Sequence, residues 1–243
     1  MIKIQPHHHT ENSGLGNNLF KSCFAQCHAI ETGQQVFNWL VTDILHGADR
    51  EGVLSRDNNG LKWGHLNIDI NAQSKIDIVG KGTNLSSDEF HQSANDIDLI
   101  KKHKNLVVKD FGRREGTFAH FRMGTRKDYK FLIGGERVPT IEYYRQQLKK
   151  ITTNNDSYIS SDWPDHAWIV ELCEEFGLKV YSGEPEETII FGSQFKNKIL
   201  SLGTFSWWIG FLGSQNNVLC PNPNNYPRWH GPIFDCMDDW SKV

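Results

Sequence analysis

Strand-like and helix-like segments alternate along the C-terminal half of this chain, and that alternation constrains the fold more than any other feature. The predicted strands are "TFAHF", "SYIS", "KVYS", "KILSL" and "NVLCP". Helices are predicted at "TIEYYRQQLKKI", with Thr140 as its N-cap, at "DHAWIVELCEEFG", with Asp165 as its cap and Gly177 at its C-terminal end, and in "LGTFSWWIGFLGS". This order is typical of a parallel β-sheet with helices on its faces, and therefore of an α/β fold.

The N-terminal half begins with the same kind of unit. "MIKI" predicts a strand, a glycine-containing loop follows, and apolar residues then recur at helical spacing until Gly33. A strand, a glycine loop and a helix in that order open many nucleotide-binding folds. Further along, "KIDIV" predicts a strand, "DIDLIKKHKN" a helix and "LVVKDF" a strand. Glycine and charged residues at 112–116 interrupt the pattern, so we predict two domains, 1–113 and 114–243.

Charge and cysteine content narrow the functional classes. The formal net charge of the 243 residues is −3, which gives no overall basic field for a nucleic-acid partner. The five cysteines are odd in number and include no C-x-x-C pair, which indicates reduced thiols, and Cys23 and Cys27 fit as buried residues of one helix. The sequence predicts no signal peptide and no membrane span, so we expect a cytoplasmic protein.

Polar side chains follow several of the predicted strands, at the edge where ligands bind in open α/β sheets. An arginine, a carboxylate and a hydroxyl-bearing turn at a helix N-terminus suit a nucleotide diphosphate. Helix N–H groups and a guanidinium bind phosphate oxygens, and a carboxylate accepts from ribose hydroxyls or from the donor edge of guanine. The residues at these strand ends are Arg122, Ser161, Asp162, Thr204, Phe205 and Ser206.

Several segments together resemble the alpha-1,2-fucosyltransferases. "SGLGNNLFKSCFAQCHAIETG" is similar to their "GGLGNQLFQYAFARALA", "HFRMG" to "HIRRGD", "YISSD" to "FSDD", and "LGTFSWWIGFLG" to "NSTFSWWGAWL". The order and spacing of these elements agree from about residue 1 to 221. The chain departs from the family pattern at Asn18, Met123, Thr125 and the Leu202–Gly203 pair.

The resemblance implies a GT-B-like fold of two Rossmann-like domains and the transfer of fucose from GDP-fucose to a glycan hydroxyl. The family inverts the sugar carbon and needs neither a metal ion nor an organic cofactor, the GDP-sugar being a co-substrate. By position, Arg122 matches the arginine that binds the diphosphate, and Asn17 matches an asparagine that lies beside the donor; these two are the expected catalytic residues. The expected donor-binding residues are Gly14, Gly16, His120, Ser161, Asp162, Thr204, Phe205 and Ser206.

Two other functions remain open from the sequence. A metal-dependent GT-A glycosyltransferase would use Asp96 and Asp98 as its carboxylate pair. A non-catalytic module for carbohydrate or nucleotide would use exposed tryptophans, for which the candidates are Trp163, Trp229 and Trp240. The general base of a transfer reaction is not identified, and its candidates are His65, Asp69 and His91.

Overall fold

The chain divides into two units, Met1–Lys109 and Asp110–Val243. The structure is a computed structural model, and the residues that it describes are 2–3, 15–32, 36–37, 44–45, 76–77, 84–85, 92–123, 138–151, 153–213, 217–226 and 232–243.

Two packed helices and four short strands are described in the first unit. The elements in chain order are β1 (Ile2–Lys3), α1 (Leu15–Thr32), β2 (Val36–Phe37), β3 (Ile76–Asp77), β4 (Asn84–Leu85) and α2 (Ala94–Val107). Strand β1 pairs with β2 in parallel, and β3 pairs with β4 in antiparallel fashion. The predicted opening strand, the helix that follows it and the helix over "DIDLIKKHKN" are therefore confirmed, while the glycine-containing loop between the first two lies outside the described residues.

The strand predicted over "LVVKDF" is wrong. Helix α2 continues through Leu106 to Val107, and Val108 forms only an isolated bridge with Leu45. The buried residues Ile100, His103 and Val107 recur at helical spacing and form one buried face. Burial of this face outweighs the low helix propensity of Val107, a β-branched residue at the end of the helix.

The second unit contains a six-stranded, wholly parallel sheet. Its elements are β5 (Arg114–Phe121), α3 (Ile141–Lys150), β6 (Ser157–Ser161), α4 (Ala167–Phe176), β7 (Lys179–Val180), α5 (Pro185–Ser193), β8 (Phe195–Ile199), α6 (Thr204–Leu212), β9 (Asn217–Cys220) and β10 (Ser241–Lys242). The spatial order is β10-β9-β8-β5-β6-β7, and every pairing is parallel. The first strand of the unit thus lies in the middle, beside the fourth, as in doubly wound Rossmann-like sheets.

Helices cover both faces of this sheet. One face carries Ala119, Phe121 and Ile159, which share a buried cluster with residues of α3 and α4. On the other face, the Phe118 ring contacts Phe191 of α5 at a centroid distance of 6.0 Å. Burial on both faces agrees with the unbroken run of buried residues from Gly116 to Phe121 in β5.

Three local details differ from the sequence prediction. Helix α4 is capped by His166 and not by Asp165, since Nδ1 of His166 accepts from the Trp168 backbone N–H at 3.2 Å. Helix α5 and strand β10 have no counterpart among the predicted elements. Gly177 does end α4, at φ +65°, as predicted.

The two adjacent tryptophans of α6 are core residues. Trp207 and Trp208 are completely buried. The Trp207 ring stacks on Phe211 at a centroid distance of 4.4 Å, and its Nε1 donates to the carbonyl of Ile233 at 2.9 Å. This contact holds the first turn of α6 against the C-terminal segment that contains Ile233. In the part of the chain described here, no helix is both long and apolar enough to cross a bilayer.

Candidate functional site

The centre of the sheet forms the crevice where a ligand is expected. Strands β5 and β8 are neighbours, yet the chain leaves them toward opposite edges of the sheet. In open α/β folds the ligand binds outside the carboxyl ends of the two strands at such a point. Arg122 immediately follows β5, and α6 begins shortly after β8. The fold therefore brings together two of the features that the sequence predicted for a diphosphate site.

Arg122 lies directly against the backbone of Gly203. A Cβ atom added to Gly203 would lie 2.7 Å from Nη1 of Arg122, so the guanidinium passes over the glycine where any side chain would stand. Arg122 is half-buried, and no carboxylate of the described residues forms an ion pair with it. Gly203 has φ +133°, a backbone conformation that glycine adopts without strain.

The first turn of α6 presents backbone donors beside this guanidinium. Gly203 is the N-cap, and no side chain caps the helix. Within the described stretches, no acceptor is bonded to the N–H groups of Thr204, Phe205 or Ser206. These donors carry the positive end of the helix dipole. Together with Arg122, they form an arrangement that suits an anion.

His120 and Ser206 form a buried bond between the two elements. Nδ1 of His120 and Oγ of Ser206 are hydrogen-bonded at 2.5 Å, and both residues are buried. Burial, reinforced by the charge of Arg122, lowers the pKa of His120 to about 3. The ring is therefore neutral near pH 7. Direct contact of these two side chains with a donor stays a prediction.

The end of β6 supports the segment that carries Arg122. Oδ1 of the exposed Asp162 accepts from the Met123 backbone N–H at 2.7 Å. Oγ of Ser161 accepts from the Trp163 backbone N–H at 3.1 Å. Asp162 thus fixes the chain immediately after Arg122, a role that the sequence did not reveal.

Residues expected at the glycine loop belong to the first unit. Asn17 lies in the first turn of α1, and its Oδ1 accepts from Nε2 of Gln92 at 3.1 Å. Gly16 is part of the helix and is buried, whereas Gly14 lies outside the described residues. The catalytic role of Asn17 and the donor contacts of Gly14 and Gly16 stay predictions.

The carboxylate pair of the metal-dependent alternative lies on a helix. Oδ2 of Asp96 accepts from both the backbone N–H and the hydroxyl of Ser93, which closes the capping box of α2. Asp98 is exposed on the same helix and pairs with Lys101. Neither aspartate follows a buried strand, which is the position that this alternative requires.

The tryptophans of the binding-module alternative differ in exposure. Trp240 is buried and Trp163 packs against the core of α3 and α4. Trp229 lies outside the described residues, as do the general-base candidates His65, Asp69 and His91. The structure therefore shows no exposed indole at the two described positions.

Two residues near the crevice have roles that the sequence did not predict. Gly203 is required because its missing side chain admits Arg122. Tyr144 of α3 donates from its hydroxyl to the carbonyl of His120 at 2.9 Å, and burial raises its pKa, so the hydroxyl retains this proton. The glycine before "TFSWW" was a usable signal, while no local pattern marks Tyr144.

Comparisons of the chain with models of known protein families, with curated proteins and with solved structures find no match.

Proposed function

We propose that this chain is a glycosyltransferase that moves a sugar, L-fucose in the first instance, from a GDP-sugar to a glycan hydroxyl by metal-independent inverting displacement. The observation that supports it most is the half-buried Arg122, which has no carboxylate partner in the described chain. It lies against the N-terminus of α6, which no side chain caps. A GT-B arrangement of two Rossmann-like domains, with the second unit binding the donor, is part of the proposal.

The chemistry follows from charge. The acceptor oxygen attacks the anomeric carbon while the bond from that carbon to the β-phosphate oxygen breaks, so negative charge grows on the departing GDP. Arg122 and the N–H groups at positions 204–206 stabilise this charge. One well-aimed donor of this kind contributes about 3–4 kcal/mol to a transition state. The acceptor's proton passes to a base that is not yet identified.

The arginine supplies the positive charge for which many glycosyltransferases use a divalent ion. A guanidinium stays protonated throughout the physiological range and binds a phosphate through two parallel hydrogen bonds. Asp162 is exposed at the end of β6, and its carboxylate is the group proposed to accept from a ribose hydroxyl or from guanine. A nucleotide diphosphate with its nucleoside over β6 is the ligand that fits these groups best.

Thermal unfolding with GDP, UDP, ADP and TDP tests the ligand class. A ligand that binds only the folded state at about 100 times its Kd stabilises it by about 2.7 kcal/mol. We expect GDP to raise the melting temperature more than the other three nucleotides. Equal effects of all four, or none of any, would contradict recognition of GDP.

Release of GDP from GDP-fucose in the presence of glycan acceptors tests the reaction. We expect turnover to persist in excess EDTA. Activity that EDTA abolishes and manganese restores would support the metal-dependent alternative. Nucleotide binding with no turnover on any acceptor would support a non-catalytic binding module.

A further inference from the structure

The bond between His120 and Ser206 joins the two elements that carry the positive groups of the crevice. His120 lies in β5, two residues before Arg122, and Ser206 lies in the first turn of α6. Nδ1 of His120 and Oγ of Ser206 are 2.5 Å apart. Both side chains are buried, so solvent does not compete for this bond. The bond therefore links the strand that precedes Arg122 to the N-terminus of α6.

Further contacts hold the imidazole in place. The Phe205 ring packs against the His120 ring at a centroid distance of 5.0 Å and an angle of 31°. The Tyr144 hydroxyl from α3 donates to the backbone carbonyl of His120. The imidazole is thus fixed by α6 on one side while its backbone is fixed by α3.

The charge state of the ring suits an indirect role. Burial and the charge of Arg122 lower the pKa of His120. The other polar groups that face this residue from packed elements are the hydroxyls of Ser206 and Tyr144. Because the ring stays neutral near pH 7, it adds no charge of its own to an anion site. Its bonding capacity at Nδ1 is used by Ser206.

We propose that His120 and Ser206 are a positioning pair that sets the spacing between the Arg122 guanidinium and the N–H groups of the first turn of α6, and thereby the affinity for a diphosphate. This inference rests on the proposed function, since the pair acts through the anion that those groups bind. Neither side chain needs to touch the ligand.

Calorimetric titration with GDP-fucose tests the pair. Ser206→Ala and His120→Phe each remove the bond, and the second keeps an aromatic ring against Phe205. We expect each to weaken binding about tenfold, the loss that follows when one well-made buried hydrogen bond no longer holds the site. His120→Asn, which retains a hydrogen-bonding group near the position of Nδ1, should stay within about threefold of wild type.

The double variant and a matched control separate positioning from general weakening. If the two residues act as one unit, His120→Phe combined with Ser206→Ala binds no more weakly than the weaker single variant.

Ser193 provides the matched control. It is also buried, and its hydroxyl donates to the Ile190 carbonyl at 2.8 Å on α5, so Ser193→Ala removes a comparable bond. We expect it to lower the melting temperature while leaving the affinity unchanged. Should His120→Phe fail to fold, Ser206→Ala, the smaller change, still decides the question.

The pH profile distinguishes positioning from direct ionic contact. The diphosphate diester of GDP-fucose keeps its charge between about pH 5 and 8, the range in which an ordinary histidine titrates. A neutral positioning residue predicts the same pH profile of affinity for wild type and His120→Asn. An affinity that rises as the pH falls in wild type alone would overturn the inference, because His120 would then bind the anion as an imidazolium.

The outcomes also separate this inference from the proposed function. Wild-type protein that binds no GDP-fucose would overturn the proposed function and, with it, the role of the pair. Wild-type protein that binds GDP-fucose, together with folded Ser206→Ala and His120→Phe variants of unchanged affinity, would overturn the positioning pair alone.

Discussion

Replacing Gly203 by alanine perturbs the contact on which the candidate site depends. At φ +133° and ψ 153° the residue occupies a region that is nearly exclusive to glycine, so a side chain there costs about 1–3 kcal/mol of stability. The new Cβ would also lie 2.7 Å from Nη1 of Arg122, closer than nonbonded atoms approach. Because Nη1 is the far end of a flexible side chain, we expect the guanidinium to move away from the α6 N-terminus while the fold persists.

The expected effect on binding follows from the loss of charge-assisted hydrogen bonds to the phosphate. Such bonds contribute about 1.5–3 kcal/mol, which corresponds to a roughly 10- to 100-fold weaker affinity for GDP. Calorimetric titration measures the affinity and urea unfolding measures the stability of the same sample.

A second glycine provides a matched control for Gly203→Ala. Gly177 also has positive φ, at +65°, but a Cβ there meets no atom within 4 Å. Gly177→Ala should therefore cost about 1–2 kcal/mol of stability and leave GDP binding unchanged. Equal loss of affinity in both variants, or wild-type affinity in folded Gly203→Ala, would refute the placement of Arg122 against the helix.

Three further predictions concern neighbouring side chains. Because the pKa of His120 is about 3 in the fold and about 6.5 when unfolded, its contribution to stability is complete above about pH 6.5 and declines as the pH falls toward 3. Urea unfolding at about pH 4.5 should show about 2–3 kcal/mol of stability lost through this residue relative to pH 7. This loss should be absent from His120→Asn, and an identical pH dependence of the two proteins would contradict the buried neutral ring. Trp207→Ala should lower the free energy of unfolding by about 3–5 kcal/mol because the ring is wholly buried, and a loss below about 1 kcal/mol would show that it is not core. Thr204→Ala, a half-buried first helical residue that is not the N-cap, should cost less than about 1 kcal/mol of stability while weakening GDP binding; unchanged affinity would assign it to the scaffold.

The alternation of strands and helices in the second unit was predictable because its elements are short and their apolar residues recur at the spacing of a strand or of a helix. Helix α5 was missed because "PEETIIFGS" lacks a regular apolar stripe, and its buried residues include Thr188, Gly192 and Ser193. Its start was nevertheless marked by Pro185 at the first position and by Glu187 at the third, whose Oε2 accepts from the Glu184 backbone N–H at 3.1 Å.

The candidate site was only partly predictable. Arg122 and the turn at Thr204 follow from the rule that ligands bind at the carboxyl ends of parallel strands. The bond between His120 and Ser206 spans 86 positions of the sequence, and no local pattern encodes such a contact. The same holds for Asp162 and the Met123 backbone, which are 39 positions apart.

The affinity of GDP for Arg122→Ala tests the central claim most directly, because Arg122 is the group assigned to the diphosphate. We expect the affinity to fall by a factor on the order of 10 to 100, with little recovery in Arg122→Lys, since an ammonium does not reproduce the two parallel bonds of a guanidinium. The melting temperature should stay near that of wild type. Arg113→Ala is the control, because Arg113 is exposed and forms an ion pair with Glu115 at 3.5 Å, away from the crevice residues. This variant should bind GDP as wild type does. A folded Arg122→Ala variant that binds GDP as tightly as wild type would contradict the account.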